Sequence, residues 1–184
     1  MKQLNQPLME QLGAINSQGN NFNHEARSLQ LRRKLAYKGF IKEILKESNT
    51  VLICTLTFKH RYIISLDQAE KDARHFKNTL DKDVFGKTNN KWKNRHPACL
   101  VVEGNDHRED AVGTHIHGIL GFGEESALDS KRLIRKHWGN IKKSGYISEI
   151  SEWDGRDQWI NYLLKQKTKD VPYYDAIAVL DRGN

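Results

Sequence analysis

The sequence predicts an α+β domain: a central antiparallel sheet with helices packed on one face, which leaves the other face free to carry a site. Three observations predict it. Short β-branched or apolar runs alternate with stretches of helical periodicity. Two of those runs, Ala98–Glu103 and Thr114–Leu120, are joined by a short polar connection, which makes them antiparallel neighbours. The second run carries His115-Ile116-His117, and a strand places its two histidines on one face.

The chain has 184 residues, enough for one domain with a sizeable core. Hydrophobic residues make up 38% and charged residues 29%, the balance of a soluble globular protein. No apolar run reaches membrane-spanning length, and the N-terminus lacks the charged-then-apolar pattern of a secretory leader, so a cytoplasmic protein without a membrane span is expected. Cys54 and Cys99 lie in apolar, strand-like runs and read as buried reduced thiols, not a disulfide framework or a zinc knuckle. Lys and Arg number 30 against 23 Asp and Glu, and the net charge of +7 favours a polyanionic partner, nucleic acid first.

In chain order, residues 1–23 are rich in Gln and Asn with almost no apolar pattern, and read as a flexible polar tail. Residues 24–48 read as a basic N-terminal helix. Leu31, Leu35, Phe40, Ile41, Ile44 and Leu45 give its apolar stripe, and Arg32, Arg33, Lys34 and Lys38 lie around it. That basic face is either a solvated surface or a phosphate contact. Residues 49–184 form the principal domain. Val51–Lys59 is a β-branched strand whose far end sets Thr55, Thr57 and Lys59 on one face. Ser65 and Gln68 make a capping box for a helix carrying Leu66, Ala69, Ala73, Phe76 and Leu80. In the polar connection from Phe85 to Pro97, Trp92 is either a base-stacking aromatic or a loop anchor. Ser126 or Asp129 caps a helix holding Leu128, Leu133, Ile134 and Trp138 and stopped by Gly139. Tyr146–Ile150 is a fourth strand. Asp154 and Asp157 open a last helix, from Arg156 to about Lys169, and Ala176–Leu180 is a final strand or an edge.

His115 and His117 could hold one divalent cation or simply form a half-buried polar face. A hairpin centred near Glu109 puts Glu103 opposite His115 and on the same face. A slip of one residue would turn it to the other face, and His107 shares its parity. A Glu, His, His set suits Mg²⁺ or Mn²⁺ with room left for water or substrate oxygens. In the last helix Trp159, Ile160, Leu163 and Leu164 form the apolar stripe. At about 100° per residue Tyr162 falls off that stripe, with Lys165, Gln166 and Lys169 on its side. Tyr162 is therefore either a surface tyrosine or a reactive one. In Tyr-x-x-Lys a cation one turn away favours the phenolate and can hold a phosphate.

Together these residues resemble the HUH endonucleases, in particular the rolling-circle replication initiators of small plasmids, phages and single-stranded DNA viruses. The family's three motifs have counterparts in order: Thr55-Leu56-Thr57-Phe58-Lys59, His115-Ile116-His117 and Tyr162-Leu163-Leu164-Lys165. The resemblance covers residues 51–169 and implies a sheet with the His-x-His strand in its middle. It also implies a metal held by His115, His117 and Glu103, with Tyr162 as the nucleophile and Lys165 steadying phosphate or tyrosine. Single-stranded DNA, an origin or a hairpin, would be cut to leave a 5′-phosphotyrosine, with Thr57, Lys59, Arg61 and Lys169 as DNA contacts. A host helicase and polymerase are the implied partners and a bacterial cytoplasm the implied setting. The family's larger members add a helicase domain that is not expected here. Gln166, four residues after Tyr162, implies a single nucleophile. Relaxases and single-strand transposases share this chemistry, although relaxases usually carry a third histidine and an N-terminal tyrosine. A non-catalytic origin-binding module is the alternative outside it.

Overall fold

Strand β1 (Thr50–Phe58) shows how the sheet is built. Leu52, Cys54, Leu56 and Phe58 are buried, while Ile53, Thr55 and Thr57 on the opposite face are half-buried. This period of two follows from the pleat and separates a packing face from a working face. The computed structural model describes residues 28–29, 31–59, 62–86, 95–104, 113–165 and 177–181. The expected tail over residues 1–23 lies outside the described residues, as do Trp92, His107, Arg61 and Lys169.

Four more strands complete one sheet: β2 (Ala98–Glu103), β3 (His115–Phe122), β4 (Ser144–Glu152) and β5 (Ile177–Asp181). The order is β4-β1-β3-β2-β5, and every neighbouring pair is antiparallel. The His-x-His strand β3 therefore lies in the middle, as expected. A central strand covered on both faces reads as a continuous buried run, and from Ile116 to Phe122 β3 is buried throughout. Gly118 is required there by close approach. A Cβ on it would lie 2.7 Å from Leu100 Cδ2 and 2.9 Å from Cys54 Sγ.

Two long helices cover one face of the sheet. In α2 (Leu66–Phe85), Ala69, Ala73, Phe76 and Leu80 are buried at helical spacing. In α3 (Ala127–Gly139), Ile134 and Trp138 are. They join the packing face of β1 with Leu100, Val102, Ile116, Leu120 and Phe122 in one core cluster. Trp138 anchors it through edge contacts with Phe58 and Phe76 and an Nε1–H bond to the Thr57 carbonyl. The N-caps are those the sequence suggests: Ser65 accepts from the Gln68 amide, and Ser126 from the Asp129 amide. The Gln68 side chain reaches forward to Asp72 instead of back to the cap, so only half of the capping box forms. Burial pushes the Cys54 thiol up to about 12, and both cysteines are buried and outside any disulfide.

The chain divides into two compact units, Met1–Gly39 and Phe40–Asn184. Residues 31–45 are helical (α1). Within the larger unit Ile41, Ile44 and Leu45 of α1 are buried, and Lys42 pairs with Asp157 at 2.5 Å. In the smaller unit Leu31 and Leu35 are exposed.

The last helix, α4 (Asp157–Leu163), is shorter than expected. The sequence pattern runs to about Lys169, yet Leu164 has left helical geometry, and Lys165 bonds back to Tyr162 in a tightened final turn. Beyond this turn the Lys165 side chain pairs with Glu103 of β2. No helix among the described residues is long and apolar enough to cross a membrane.

Candidate metal and tyrosine site

Register assembles the site on the working face. β3 pairs Thr55↔His117 and Thr57↔His115 with β1, and Val101↔His117 and Glu103↔His115 with β2. The last of these is the pairing expected from the hairpin. Directly opposed residues share a face, so Glu103, His115, His117, Thr55 and Thr57 all lie on one side. Tyr162 comes to the same side from α4, whose buried Ile160 and Leu163 hold the helix down.

His117 Nε2 is the hub. It lies 3.0 Å from His115 Nε2, 3.2 Å from Glu103 Oε2 and 3.2 Å from the Tyr162 hydroxyl. Glu103 Oε2 is 3.9 Å from His115 Nε2. Glu103 is 7% exposed and His117 5%, whereas Tyr162 is 37% exposed. The site is thus buried at its donors and open at its phenol.

The tautomers follow from the outer partners. His115 Nδ1 is 2.9 Å from the Gly113 carbonyl, an atom that only accepts, so Nδ1 carries the proton and Nε2 a lone pair. Burial chiefly, and then the neighbouring His117, lower the His115 pKa below the ordinary imidazole value and keep it neutral, against the Gly113 bond and the Glu103 charge. His117 Nδ1 is 3.1 Å from Thr55 Oγ1, which gives Nδ1 a hydrogen-bond partner and leaves Nε2 to face the cluster.

Two imidazole nitrogens and a carboxylate oxygen converging in a buried space are placed to share one cation. Glu103, His115 and His117 form a group that could hold a metal ion, with their donor atoms within 4.8 Å of one another. Neighbouring donors of an octahedral ion at about 2.1 Å lie about 3 Å apart; the 3.0 and 3.2 Å separations match that edge, and the 3.9 Å between His115 and Glu103 is wider. The residues fit a small divalent cation.

Lys165 stands between the carboxylate and the phenol. Its Nζ is 3.1 Å from Glu103 Oε1 and 3.6 Å from the centre of the Tyr162 ring. Burial works against the ammonium, but its interactions with Tyr162 and Glu103 outweigh that and raise its pKa. The carboxylate thus offers one oxygen to Lys165 and the other to the histidines. Trp159 stacks on Tyr162 at 5.3 Å, meets the edge of His117 and donates Nε1–H to the Gly118 carbonyl. It fixes the direction from which the tyrosine approaches.

The structure therefore brings together Glu103, His115, His117, Tyr162 and Lys165. Thr57 shares their face at the register position of His115. Lys59 is exposed beyond the end of β1, with its backbone bonded to Lys143. The sequence marks Thr55 only as part of a strand face and Trp159 only as part of the helix stripe. The signal for Thr55 was its parity with Thr57. No sequence signal links Trp159 to Gly118. No protein-family model, curated protein or solved structure matches the chain.

Proposed function

We propose that this protein is a metal-dependent endonuclease that nicks and rejoins single-stranded DNA with Tyr162 as nucleophile, and that it initiates rolling-circle replication of a plasmid or phage. One observation carries the reading. The Tyr162 hydroxyl lies 3.2 Å from the same His117 nitrogen that faces His115 and Glu103.

Glu103, His115 and His117 would hold Mg²⁺ or Mn²⁺, which supplies Lewis-acid polarisation of the scissile phosphate. Everything else is done by the chain. Tyr162 Oη attacks phosphorus, and its proton leaves toward the solvent-open side. The bond from phosphorus to the 3′ oxygen breaks, that oxygen takes up a proton, and the phosphate remains as a 5′-phosphotyrosine. Lys165, kept protonated, stabilises the phenolate and the phosphate charge. Attack by a 3′-OH runs the step backwards and joins strands. The net charge of +7 supports the retention of flanking DNA.

A denaturing gel tests this. Wild type and Tyr162→Phe are incubated with single-stranded oligonucleotides from the protein's own replicon, with Mn²⁺ or with EDTA. A covalent protein–DNA band that needs both the tyrosine and the metal is the expected result. Equal DNA binding by both proteins, with no adduct on any strand, would leave a non-catalytic DNA-binding module.

A further inference from the structure

At the other end of the sheet is a second feature that the metal and tyrosine site does not use. A cavity of about 830 Å³ opens there, with Glu43, Glu47, Glu124 and Glu125 in its wall. Arg95 is the one cation among the described lining residues, so this wall is acidic on a chain of net charge +7. The length of β2 separates it from Glu103, roughly 20 Å at about 3.3 Å per residue.

Acidic residues alone would mean little, but His96 belongs to the same wall and is 2% exposed. Its ring is held between Phe85 and Phe122, with centroids 4.8 and 4.6 Å away. Its backbone N–H is committed to Asp81 at 3.1 Å. The ring bonds to the backbone of Gly121, whose own N–H is used by the Pro97 carbonyl, so the Gly121 carbonyl accepts. His96 Nε2 has no partner among the described residues, which makes Nδ1 the donor to Gly121. Burial first, and Lys77 as well, push the His96 pKa down to about 4 despite Glu125, so the ring is neutral and Nε2 is a lone pair. Glu125 Oε2 is a second buried acceptor without a partner among the described residues.

Both orphan atoms are acceptors. A buried acceptor without a donor is costly, and a ligand that relieves two of them beside a carboxylate carries several N–H donors and a positive charge. A metal ion fits less well, because among the described residues the converging His and carboxylate group is Glu103, His115 and His117. Ile44, Val84 and Phe85 supply apolar wall against which an alkyl stem can lie. We propose that this cavity binds an alkylammonium group, whose N–H donors are taken by His96 Nε2 and Glu125 Oε2. The group belongs either to a free diamine or to a lysine side chain of a protein partner. The proposal is independent of the nickase reading.

The test uses the full chain. Putrescine and Nα-acetyl-lysine methylamide are titrated by calorimetry, with n-butanol as the uncharged control, while the His96 ring nitrogens are followed by ¹⁵N NMR. At least one amine is expected to bind and to shift His96 Nε2, and n-butanol is expected to do neither. Glu125→Gln, and separately His96→Phe, which keeps the ring between its aromatic neighbours, should each weaken amine binding roughly tenfold or more. Binding of putrescine alone identifies a free diamine, and binding of the lysine derivative identifies a side chain of a partner. If neither amine moves the His96 resonance, or if Glu125→Gln binds as wild type does, the site is an acidic groove holding water and the proposal is overturned.

Discussion

Thr55→Val tests how the metal site is organised from outside its donor shell. Valine has nearly the shape of threonine and an equal or better preference for strands, so β1 should form as before. What is lost is Oγ1, the atom 3.1 Å from His117 Nδ1. In the metal-competent tautomer Oγ1 accepts from Nδ1–H, so without it either that N–H stays unpaired or the proton moves to Nε2, the nitrogen that faces Glu103 and His115. The first outcome costs about 1–3 kcal/mol. The second removes the lone pair a metal needs. Losing an outer partner of a metal-bound histidine typically lowers affinity roughly 10- to 100-fold, which is about 1.4–2.7 kcal/mol. The assay is Mn²⁺ binding by calorimetry or by EPR of the free ion, alongside the thermal midpoint of the apoprotein. Thr55→Val should lose affinity within that range with little change in midpoint, and Thr55→Ser, which keeps the oxygen, should recover most of it. Unchanged Mn²⁺ affinity in Thr55→Val would show that Thr55 does not set the His117 tautomer.

Three further outcomes are expected. Glu103→Ala removes the carboxylate that faces both histidines and Lys165, and should abolish measurable Mn²⁺ binding; an unchanged dissociation constant would remove Glu103 from the ligand set. Gly118→Ala forces a methyl against Leu100 and Cys54 in a fully buried strand and should destabilise the protein by about 1–3 kcal/mol, read as a lower urea midpoint with unchanged slope. His96 has a folded-state pKa of about 4, below the ordinary imidazole value of about 6.5, so the unfolded chain binds the extra proton. Its contribution is complete above about pH 6.5 and is lost as pH falls toward 4, up to about 3 kcal/mol. Urea unfolding at pH 7 and pH 4.5 should show a smaller acid loss in His96→Phe than in wild type, and equal losses would refute the shift.

Local chemistry made the sheet and its two long helices readable from the sequence. β1 announces itself as a β-branched apolar run, α2 and α3 by apolar spacing and serine caps, and β2 and β3 by a short connection that permits one pairing direction. The Glu103↔His115 register was readable by placing the hairpin centre near Glu109, with the period of two then setting both residues on one face. The length of α4 was not. Leu164 still falls on the apolar stripe, yet its backbone has already left helical geometry, and Lys165 beyond it pairs with Glu103.

By itself, the sequence determined which residue types could do chemistry and on which element each would sit: two histidines and a glutamate on paired strands, and a tyrosine and a lysine on a helix. Tertiary structure decided that they meet. The sequence places Tyr162 off the apolar stripe, but its approach to His117 depends on how α4 seats Ile160, Leu163 and Trp159 on the sheet. The acceptor pair at His96 and Glu125 is likewise a tertiary result. These residues are 29 positions apart, and no periodicity connects an isolated histidine before β2 with a glutamate after β3. Strand and helix patterns are written in neighbouring residues, whereas a buried lone pair without a donor exists only once distant elements have closed around it.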